Sequence, residues 1–337
     1  MLVRVAVYGL GPIGMLIARK VLERKSLELV AAFEVDDSKI GRDVGEVIGV
    51  NSRIGVTISR ESEAAEILRR SGADIVLHAT SSHLEKIYPQ IVKCIEAGTD
   101  LISTSETLAN PWYRYPKLAT EIDRMARENN VSIIGAGVNP GFVFDALPIL
   151  MTLVCARINR LRVTRSLDAG KRRLSFQKKY GLALSVQEFT RKMESGEITA
   201  HIGYGESVDL IASALGVNLT RIVEKQEPIV STKPLKTQYF EITPGRVSGV
   251  HGYGIGYAGE KELVRVELLA EAGGEEFEEV VIEGEPPVKW RSTGIAGDTA
   301  TAAVVVNLIP KVLGARTGLL RITDIPLPSA FLDLKGG

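Results

Sequence analysis

The chain has 337 residues, and its 41 basic and 41 acidic side chains give a formal net charge of zero. This length predicts two domains and allows a large core. The balanced charge, without a basic stripe, argues against nucleic-acid binding. The apolar stretches at 147–156 and 302–309 are too short to span a bilayer, so no membrane association is expected.

Cysteine and histidine usage narrows the class of protein further. Cys94 and Cys155 lie in apolar segments and are predicted to be buried free thiols, which is typical of a reducing compartment. The four histidines form no cluster at ligand spacing, so no metal site is predicted. The N-terminus runs directly into an apolar strand pattern. We therefore expect no signal peptide and a cytoplasmic location.

Residues 3–14 read Val-Arg-Val-Ala-Val-Tyr-Gly-Leu-Gly-Pro-Ile-Gly, which is the pattern of a strand, a tight turn and the start of a helix. In this context a G-x-G-x-x-G motif predicts a dinucleotide-binding loop. Gly9 allows the tight turn, Gly11 lets the backbone approach a pyrophosphate, and Gly14 lets helix and strand pack closely. A plain glycine-rich turn is the alternative.

The helix start and the following strand add two features. Pro12 suits a first helical turn, and the free amides near Pro12 and Ile13 would face the phosphate charge. The next predicted strand ends at Glu34, which can accept hydrogen bonds from both ribose hydroxyls and would repel a 2′-phosphate. NAD is therefore the first expectation. Lys39 and Arg42 lie just beyond and soften that preference, so NADP stays open, and a solvated acid at Glu34 is the other interpretation.

Strand and helix patterns alternate along the first part of the chain. Further strands are predicted at 55–59, 74–78, 100–102 and 131–134, with helices at 61–70, 84–97 and 116–129. Alternation of this kind with apolar strands predicts a parallel sheet covered on both faces. We expect an α/β fold in which residues 1–140 form a Rossmann-type, doubly wound domain that binds NAD or NADP.

The pattern changes after residues 135–140. Helices are predicted at 143–156, 185–194 and 206–215, and strands at 160–167, 239–242, 246–253, 263–270 and 278–282. The later strands are expected to form a meander joined by glycine turns. This predicts a second, α+β domain over 141–295 with a mainly antiparallel sheet. The segment 296–337 begins as a helix and is expected to return to the first domain, leaving a substrate cleft between the domains.

Two polar loops follow predicted strands, at the sheet edge where ligands bind in doubly wound folds. Thr80, Ser81 and Ser82 can line the pyrophosphate and the nicotinamide ribose, with helix capping by Ser82 as the structural interpretation. The second loop places Glu106 where a nicotinamide ring would lie, so Glu106 is the candidate catalytic acid/base. An acid stabilised in the first turn of a helix is an equal alternative.

Three further polar residues are candidates for substrate contacts. Arg165 shares the strand parity of its apolar neighbours and needs an anionic partner. That partner is either a substrate carboxylate or a local acid such as Asp168, and the structural pair is slightly favoured. Asn139, in Gly-Val-Asn-Pro-Gly, either shapes a hinge or binds substrate. His251 is a weaker candidate, because strand histidines are usually structural.

Together these motifs resemble the dihydrodipicolinate-reductase-like superfamily, and within it the branch of 2,4-diaminopentanoate dehydrogenases and native amine dehydrogenases. The similarity covers nearly the whole chain, with markers at 9–14, 39–43, 79–82, 103–106, 137–141 and 297–301. The resemblance implies NAD(P)-dependent oxidative deamination of a small amine or diamino acid, or the reverse reductive amination. It also implies a homodimer through the second domain and Glu106 as the catalytic carboxylate.

The chain departs from the family pattern at several points. The paired-histidine motif and the Lys-x-Asp-Ala-Pro-Ser-Gly-Thr stretch of dihydrodipicolinate reductases do not occur, which argues against that activity. Thr107 stands where the closer branch often has a second glutamate, and Ala296 where histidine is common, so the substrate stays open. An imine reductase with the same cofactor, or a regulator that binds NAD(H) without catalysis, are the alternative functions.

Overall fold

A computed structural model describes residues 2–333. The chain divides into two compact units, each with its own sheet. The first unit combines residues up to Gly141 with those from Ala296 onward, and the second is Phe142–Ile295.

The described residues form fifteen strands. In chain order these are β1 (Val3–Tyr8), β2 (Leu27–Glu34), β3 (Ile58–Arg60), β4 (Ile75–His78), β5 (Asp100–Ser103), β6 (Ser132–Gly135), β7 (Arg157–Asp168), β8 (Arg221–Val230), β9 (Leu235–Lys236), β10 (Glu241–Ile242), β11 (Val247–Ala258), β12 (Lys261–Glu271), β13 (Phe277–Glu285), β14 (Val288–Arg291) and β15 (Gly318–Leu320).

Twelve α-helices lie among the same residues. They are α1 (Pro12–Leu22), α2 (Val44–Ile48), α3 (Ala64–Ser71), α4 (Leu84–Glu96), α5 (Pro111–Arg114), α6 (Pro116–Glu128), α7 (Ala146–Met151), α8 (Leu174–Lys179), α9 (Val186–Glu194), α10 (Tyr204–Ala214), α11 (Gly297–Asn307) and α12 (Ile309–Val312).

The first unit is built on a seven-stranded parallel sheet with the order β15-β6-β5-β4-β1-β2-β3. The residues of β4 and β6 are buried on both faces of the sheet. Burial on both faces is what a parallel sheet covered by helices requires, and it explains the unbroken apolar runs of these strands. The predicted Rossmann-type sheet is therefore confirmed. The last strand, β15, pairs with β6 at one edge.

The second unit contains a six-stranded sheet with the order β14-β13-β7-β12-β11-β8. Its strand pairs are antiparallel except β7 with β12, so the expected mainly antiparallel sheet is confirmed. Helix α10 packs over β11, β12 and β8 on one face. Gly252 makes this packing possible, because a Cβ there would lie 2.0 Å from the Tyr204 hydroxyl.

The meander prediction was wrong in its connectivity. Strands β12 and β13 are joined through the turn at Gly273, yet β7 lies between them in the sheet. A glycine turn between two strand patterns favours a hairpin. It does not reveal that a strand distant in sequence, β7, lies between the two in the sheet.

Smaller features of the second unit also differ from the sequence prediction. The helix expected at 143–156 is limited to α7 and a 3-10 turn at Thr152–Val154. Cys155 is a free thiol but only partly buried, whereas Cys94 is a buried free thiol in the first unit, as predicted.

Candidate active site

The polar loops of the first unit follow adjacent strands at the carboxyl edge of the sheet. The strands β2, β1, β4 and β5 are consecutive neighbours. Glu34 ends the first, the glycine turn follows the second, the loop with Thr80 follows the third, and Glu106 follows the fourth. Neighbouring strands lie about 4.8 Å apart, so these groups span a row of about 14 Å. Ligands of open parallel sheets bind at this edge.

The glycine turn has the geometry that a dinucleotide phosphate needs. Gly9 has φ +91°, and a Cβ on Gly14 would lie 1.8 Å from the Gly9 carbonyl oxygen, so neither position tolerates a side chain. A Cβ on Gly11, in contrast, would meet no atom within 4 Å. Gly11 is the N-cap of α1 and Pro12 its first residue. The free amides at this helix start, including that of Ile13, fit a pyrophosphate.

Glu34 is held in place by the backbone of two loops. Its carboxylate accepts hydrogen bonds from the amides of Leu10 at 2.9 Å and Val35 at 2.7 Å. Lys39 Nζ lies 3.6 Å from the same carboxylate and 3.3 Å from Asp36. Arg42 instead pairs with Glu46 in an exposed position. Of the two cations that the sequence placed near Glu34, only Lys39 therefore contacts it.

A cavity of about 240 Å³ lies over the glycine turn. Pockets for drug-sized ligands usually start at roughly 300 Å³, so this space suits one nucleoside rather than a whole dinucleotide. The residues that line it include Gly9, Gly11, Glu34, Lys39, Thr80 and Gln90. Because Glu34 is the acid expected to bind ribose, the cavity fits the adenosine half of the coenzyme.

The loops after β4 and β5 are joined by hydrogen bonds. The carbonyl oxygen of Ser82 accepts from the Ser105 hydroxyl at 2.9 Å and from the Thr107 hydroxyl at 3.0 Å. Thr107 also caps α4, because its hydroxyl accepts from the Leu84 amide at 2.8 Å. The capping suggested for Ser82 is thus made by Thr107. The Ser81 hydroxyl oxygen accepts a long hydrogen bond of 3.5 Å from the His83 backbone amide.

Glu106 is partly buried and opens a 3-10 turn, Glu106–Leu108, directly after β5. The turn is fixed by its neighbours Ser105 and Thr107, which bind the loop after β4. Among residues 2–333 no side chain pairs with the Glu106 carboxylate in a salt bridge or hydrogen bond. The backbone around this acid is therefore held in place by the loop after β4.

Arg165 lies in the interior of the second unit, where its guanidinium meets a buried acid. Its Nε is 3.2 Å from Glu278, whose side chain is 1% exposed, and its Nη2 donates to the Ile295 carbonyl at 2.7 Å. Asp168, the local acid that the sequence suggested, instead accepts from the amides of Gly170 and Gly273. The structural partner of Arg165 is therefore Glu278. A substrate carboxylate as an additional partner stays a prediction.

The two remaining substrate candidates have different surroundings. Asn139 lies in the 137–141 loop of the first unit, where a Cβ on Gly141 would lie 2.3 Å from the Gly137 amide nitrogen, so the loop is tightly folded. His251 lies on β11, with Nε2 4.0 Å from the Glu267 carboxylate. It points to the sheet face opposite Gly252 and α10, and therefore away from Arg165.

Sequence reasoning missed two buried polar groups on the Arg165 face of the second sheet. His201 Nε2 and the Tyr204 hydroxyl are buried without a hydrogen-bond partner among the described residues. Burial lowers the pKa of His201 to about 3, so its imidazole is neutral. Phe144 packs against both rings. A lone histidine in a loop gives no sequence pattern, and no periodicity could have singled it out.

Comparison with known proteins decides the family. The model of the 2,4-diaminopentanoate dehydrogenase C-terminal domain matches residues 142–335, and that of the dihydrodipicolinate reductase N-terminus matches residues 3–108. The 2,4-diaminopentanoate dehydrogenase of Acetoanaerobium sticklandii is 30% identical over 98% of this chain and 95% of its own length. The chain belongs to the 2,4-diaminopentanoate dehydrogenase family. The resemblance inferred from the motifs is therefore confirmed.

Two further relatives agree with this assignment. The amine dehydrogenase of Streptomyces virginiae is 24% identical over 98% of both chains. The structure of the amine dehydrogenase from Mycobacterium smegmatis aligns with a TM-score of 0.86 and 23% identity, covering 98% of this chain and 97% of that one, which supports the fold. The chain is thus an oxidoreductase with an NAD(P)-binding fold. Among its described helices none is long and apolar enough to cross a membrane.

Proposed function

We propose that this protein is an NAD(P)-dependent amine dehydrogenase that converts a small amine or a diamino acid of the 2,4-diaminopentanoate type into a ketone and ammonia, or runs the reverse reductive amination. The observation that carries the proposal is the row of groups along the sheet edge, from Glu34 through the glycine turn and Thr80 to Glu106. This row offers a ribose acceptor, a phosphate cradle and an acid/base in the order in which an extended dinucleotide needs them.

Glu106 supplies the proton transfers. As a carboxylate it accepts a proton from the substrate ammonium and thereby makes the amine lone pair available. The bound coenzyme supplies the hydride acceptor. After Glu106 has released its proton to solvent, it accepts another from the water that attacks the resulting substrate iminium. It then returns this proton to the amino nitrogen of the carbinolamine, so that the C–N bond breaks, ammonia leaves and the ketone forms. A positioned base of this kind contributes about 100- to 10,000-fold to the rate.

Coenzyme preference is the second part of the proposal. Gly9 and Gly14 allow the tight turn and its packing, Gly11 leaves room for a pyrophosphate, and Glu34 lines the cavity as the acid proposed to bind the ribose hydroxyls. A 2′-phosphate would lie against the Glu34 carboxylate. Within residues 2–333 that carboxylate contacts one cation, Lys39, which it shares with Asp36. We therefore propose NAD as the preferred coenzyme, with NADP bound more weakly.

Replacement of Glu106 by Gln tests the mechanism. The amide keeps the shape of the side chain but cannot accept a proton, so we expect turnover to fall by about 100- to 10,000-fold. NAD(H) binding, measured by titration of nucleotide fluorescence, stays within about 2-fold because Glu106 holds no phosphate or ribose. The matched control is Glu85→Gln, which changes an exposed acid in the first turn of α4. Full activity of the Glu106→Gln variant would contradict the assignment.

The reaction class is tested with a substrate panel. We expect 2,4-diaminopentanoate or a related small amine to reduce NAD, and the matching ketone to oxidise NADH only when ammonia is present. If the protein reduces a preformed imine without requiring ammonia, the result would instead support the alternative function of an imine reductase. Binding of NAD(H) with no turnover of any amine would support the regulator.

We further propose a cytoplasmic homodimer that associates through the second unit. The free thiols Cys94 and Cys155 support a reducing compartment. Leu150, Leu153 and Val154 in the second unit are 51%, 82% and 63% exposed, a concentration of apolar surface that an interface would cover. Sedimentation equilibrium tests the oligomeric state, and a chain that stays monomeric at micromolar concentration would contradict it.

A further inference from the structure

A chain of side-chain hydrogen bonds lies beneath the adenosine cavity. His78 Nδ1 is 2.9 Å from the Ser103 hydroxyl, and His78 Nε2 is 2.8 Å from Gln90 Oε1. The Thr80 hydroxyl donates to the same Gln90 oxygen at 2.7 Å. This chain connects the end of β5, the end of β4 and the second turn of α4. His78 is fully buried, whereas Thr80 and Gln90 line the cavity.

The donors and acceptors in this chain follow from the tautomer of His78. With the Gln90 carboxamide oxygen as the acceptor, Nε2 of His78 carries the proton, which is shared with the Thr80 hydroxyl oxygen at 3.0 Å, and Nδ1 accepts from Ser103. Burial lowers the pKa of His78 to about 4, against the opposing effect of the Gln90 hydrogen bond, so the ring stays neutral. Gln90 Oε1 is thus occupied by two donors. What Gln90 can offer to a ligand is its amide NH₂, for which the described residues contain no acceptor.

An acceptor lies at the same cavity. Glu61 Oε1 is taken by the Tyr8 hydroxyl at 2.8 Å and by Lys93 at 2.5 Å, and these contacts lower the pKa of Glu61 although burial acts to raise it. Its second oxygen, Oε2, has no hydrogen-bond partner within residues 2–333. The cavity lined by Glu61 and Gln90 therefore presents an ionised acceptor and an amide donor.

We propose that Gln90 and Glu61 recognise the adenine base of the coenzyme, and that His78 is a positioning residue that holds the Gln90 amide in its donating orientation. Adenine carries an amino donor beside the N1 acceptor, which matches a cavity lined by a carboxylate and an amide donor. Hypoxanthine carries a carbonyl acceptor beside an N1–H donor, which is the reverse pattern. The site therefore discriminates between two dinucleotides that differ only in the base. This inference rests on the proposed dinucleotide binding.

Direct binding measurements test the inference without depending on turnover. The probes are NADH and reduced nicotinamide hypoxanthine dinucleotide, titrated by nucleotide fluorescence against the full chain. Mispaired buried polar groups weaken binding, so we expect the hypoxanthine form to bind about 10- to 100-fold more weakly to the wild type. Equal affinity for the two dinucleotides overturns the inference and leaves the proposed function standing. Failure of both to bind overturns the proposed function and, with it, the inference.

Variants assign the discrimination to individual residues. Gln90→Met removes the amide donor, so we expect the ratio of the two dissociation constants to fall towards one. The control is Lys86→Met, which changes an exposed residue one turn earlier on α4 and should leave the ratio unchanged. An unaltered ratio in the Gln90→Met variant overturns the role of Gln90. If that variant does not fold, Glu61→Gln serves instead: its amide offers a donor to the hypoxanthine carbonyl and shifts the ratio in favour of hypoxanthine.

The role of His78 is separated from a merely structural one by rescue. His78→Gln places an amide donor near the former Nε2 position, so it retains most of the adenine preference, whereas His78→Leu loses it. If His78 had only a structural role, both His78 variants would weaken the binding of the two dinucleotides equally and leave the ratio of their dissociation constants unchanged. That result would overturn the positioning role. Because His78 is neutral above about pH 5, the wild-type ratio stays constant between about pH 6 and pH 8.

Discussion

At the residue scale, we expect the choice between NAD and NADP to depend on the charges around Glu34. The carboxylate is fixed by two backbone amides, and Lys39 bridges it to Asp36. A 2′-phosphate would bring two further negative charges into this group, and like-charge contacts at a binding site cost several kcal/mol. We expect the same Lys39 to bind the 2′-phosphate once the acid is replaced by a neutral side chain.

We therefore expect Glu34→Gln to shift the preference towards NADP by about 10- to 100-fold in the ratio of the two dissociation constants. Fluorescence titration with NADH and NADPH measures this ratio. The control is Asp37→Asn, because Asp37 is highly exposed and pairs with Arg60 instead. A Glu34→Gln variant that gains no affinity for NADPH would show that Glu34 does not select the coenzyme.

A second prediction at the residue scale concerns Asp100. Burial raises the pKa of this carboxyl to about 6, with Asp74 acting in the same direction and the Ser132 amide opposing. The folded chain therefore holds this proton more tightly than the unfolded chain, whose carboxyl titrates near 3.8. Above about pH 6 the Asp100 carboxyl is ionised in the folded chain, and its burial then lowers the free energy of unfolding by the full amount. This penalty decreases as the pH falls from about 6 to about 4, because the folded chain takes up the proton.

Asp100→Asn removes the buried charge and keeps an oxygen that can accept from the Ser132 amide. We expect the variant to be more stable than the wild type at about pH 8 and to lose this advantage at about pH 4.5. Urea unfolding at the two pH values measures the difference. The control Asp37→Asn removes an exposed charge and should not raise the stability at about pH 8. An Asp100→Asn variant less stable than wild type at high pH contradicts the prediction.

At the scale of elements, the contact of α10 with β11 depends on the absence of a side chain. A Cβ at Gly252 would lie 2.0 Å from the Tyr204 hydroxyl and 2.7 Å from the adjacent ring carbon. Overpacking of a filled interior costs about 1–3 kcal/mol. We expect Gly252→Ala to lower the free energy of unfolding by this amount, and Tyr204→Phe to restore part of it in the double variant.

Gly249→Ala is the matched control for this rescue. Its Cβ would lie 2.0 Å from the carbonyl oxygen of Ala270, which is backbone rather than a side-chain tip. Tyr204→Phe therefore should not rescue it. A double-mutant cycle by chemical denaturation separates the two cases, and additive effects for Gly252→Ala with Tyr204→Phe would show that the hydroxyl is not the obstacle.

Elements that depend on local chemistry were predictable from the sequence. The Ser185–Glu188 capping box starts α9 where expected, and the glycine turn after β1 starts α1. Elements fixed by distant partners were not predictable. Strand β7 inserts between β12 and β13, and β8 alternates too little to be recognised because it is a partly exposed edge strand.

The candidate site divides in the same way. The positions of Gly9, Glu34 and Glu106 follow from the order of strands and turns, which a sequence reveals. The pairing of Arg165 with Glu278 joins residues on strands that are neighbours only in the folded sheet. The contact of His78 with Gln90 depends on the packing of α4 against β4. Such contacts need side-chain geometry that periodicity does not contain.

At the scale of the whole molecule, the coenzyme-binding unit is made from both ends of the chain. Helix α11 packs against α1, the helix whose start is proposed to bind the phosphates, and β15 extends the sheet beside β6. Ala302, Val305 and Val306 of α11 are buried to 1% exposure or less. Burial of each valine contributes about 1.5–3 kcal/mol, so this segment is a substantial part of the stability of the unit.

A chain that ends after residue 295 is therefore expected to lose NADH binding. Helix α1 would lack the helix that covers it, and β6 would become the edge strand of the sheet, paired only with β5. A chain that ends after residue 326 keeps α11, α12 and β15 and should bind NADH, with a lower melting temperature from the loss of the Arg24 hydrogen bond to the Phe331 carbonyl. Fluorescence titration and thermal unfolding of both chains provide the measurement. Wild-type affinity in the shorter chain would show that residues 1–141 fold and bind the coenzyme without the returning segment.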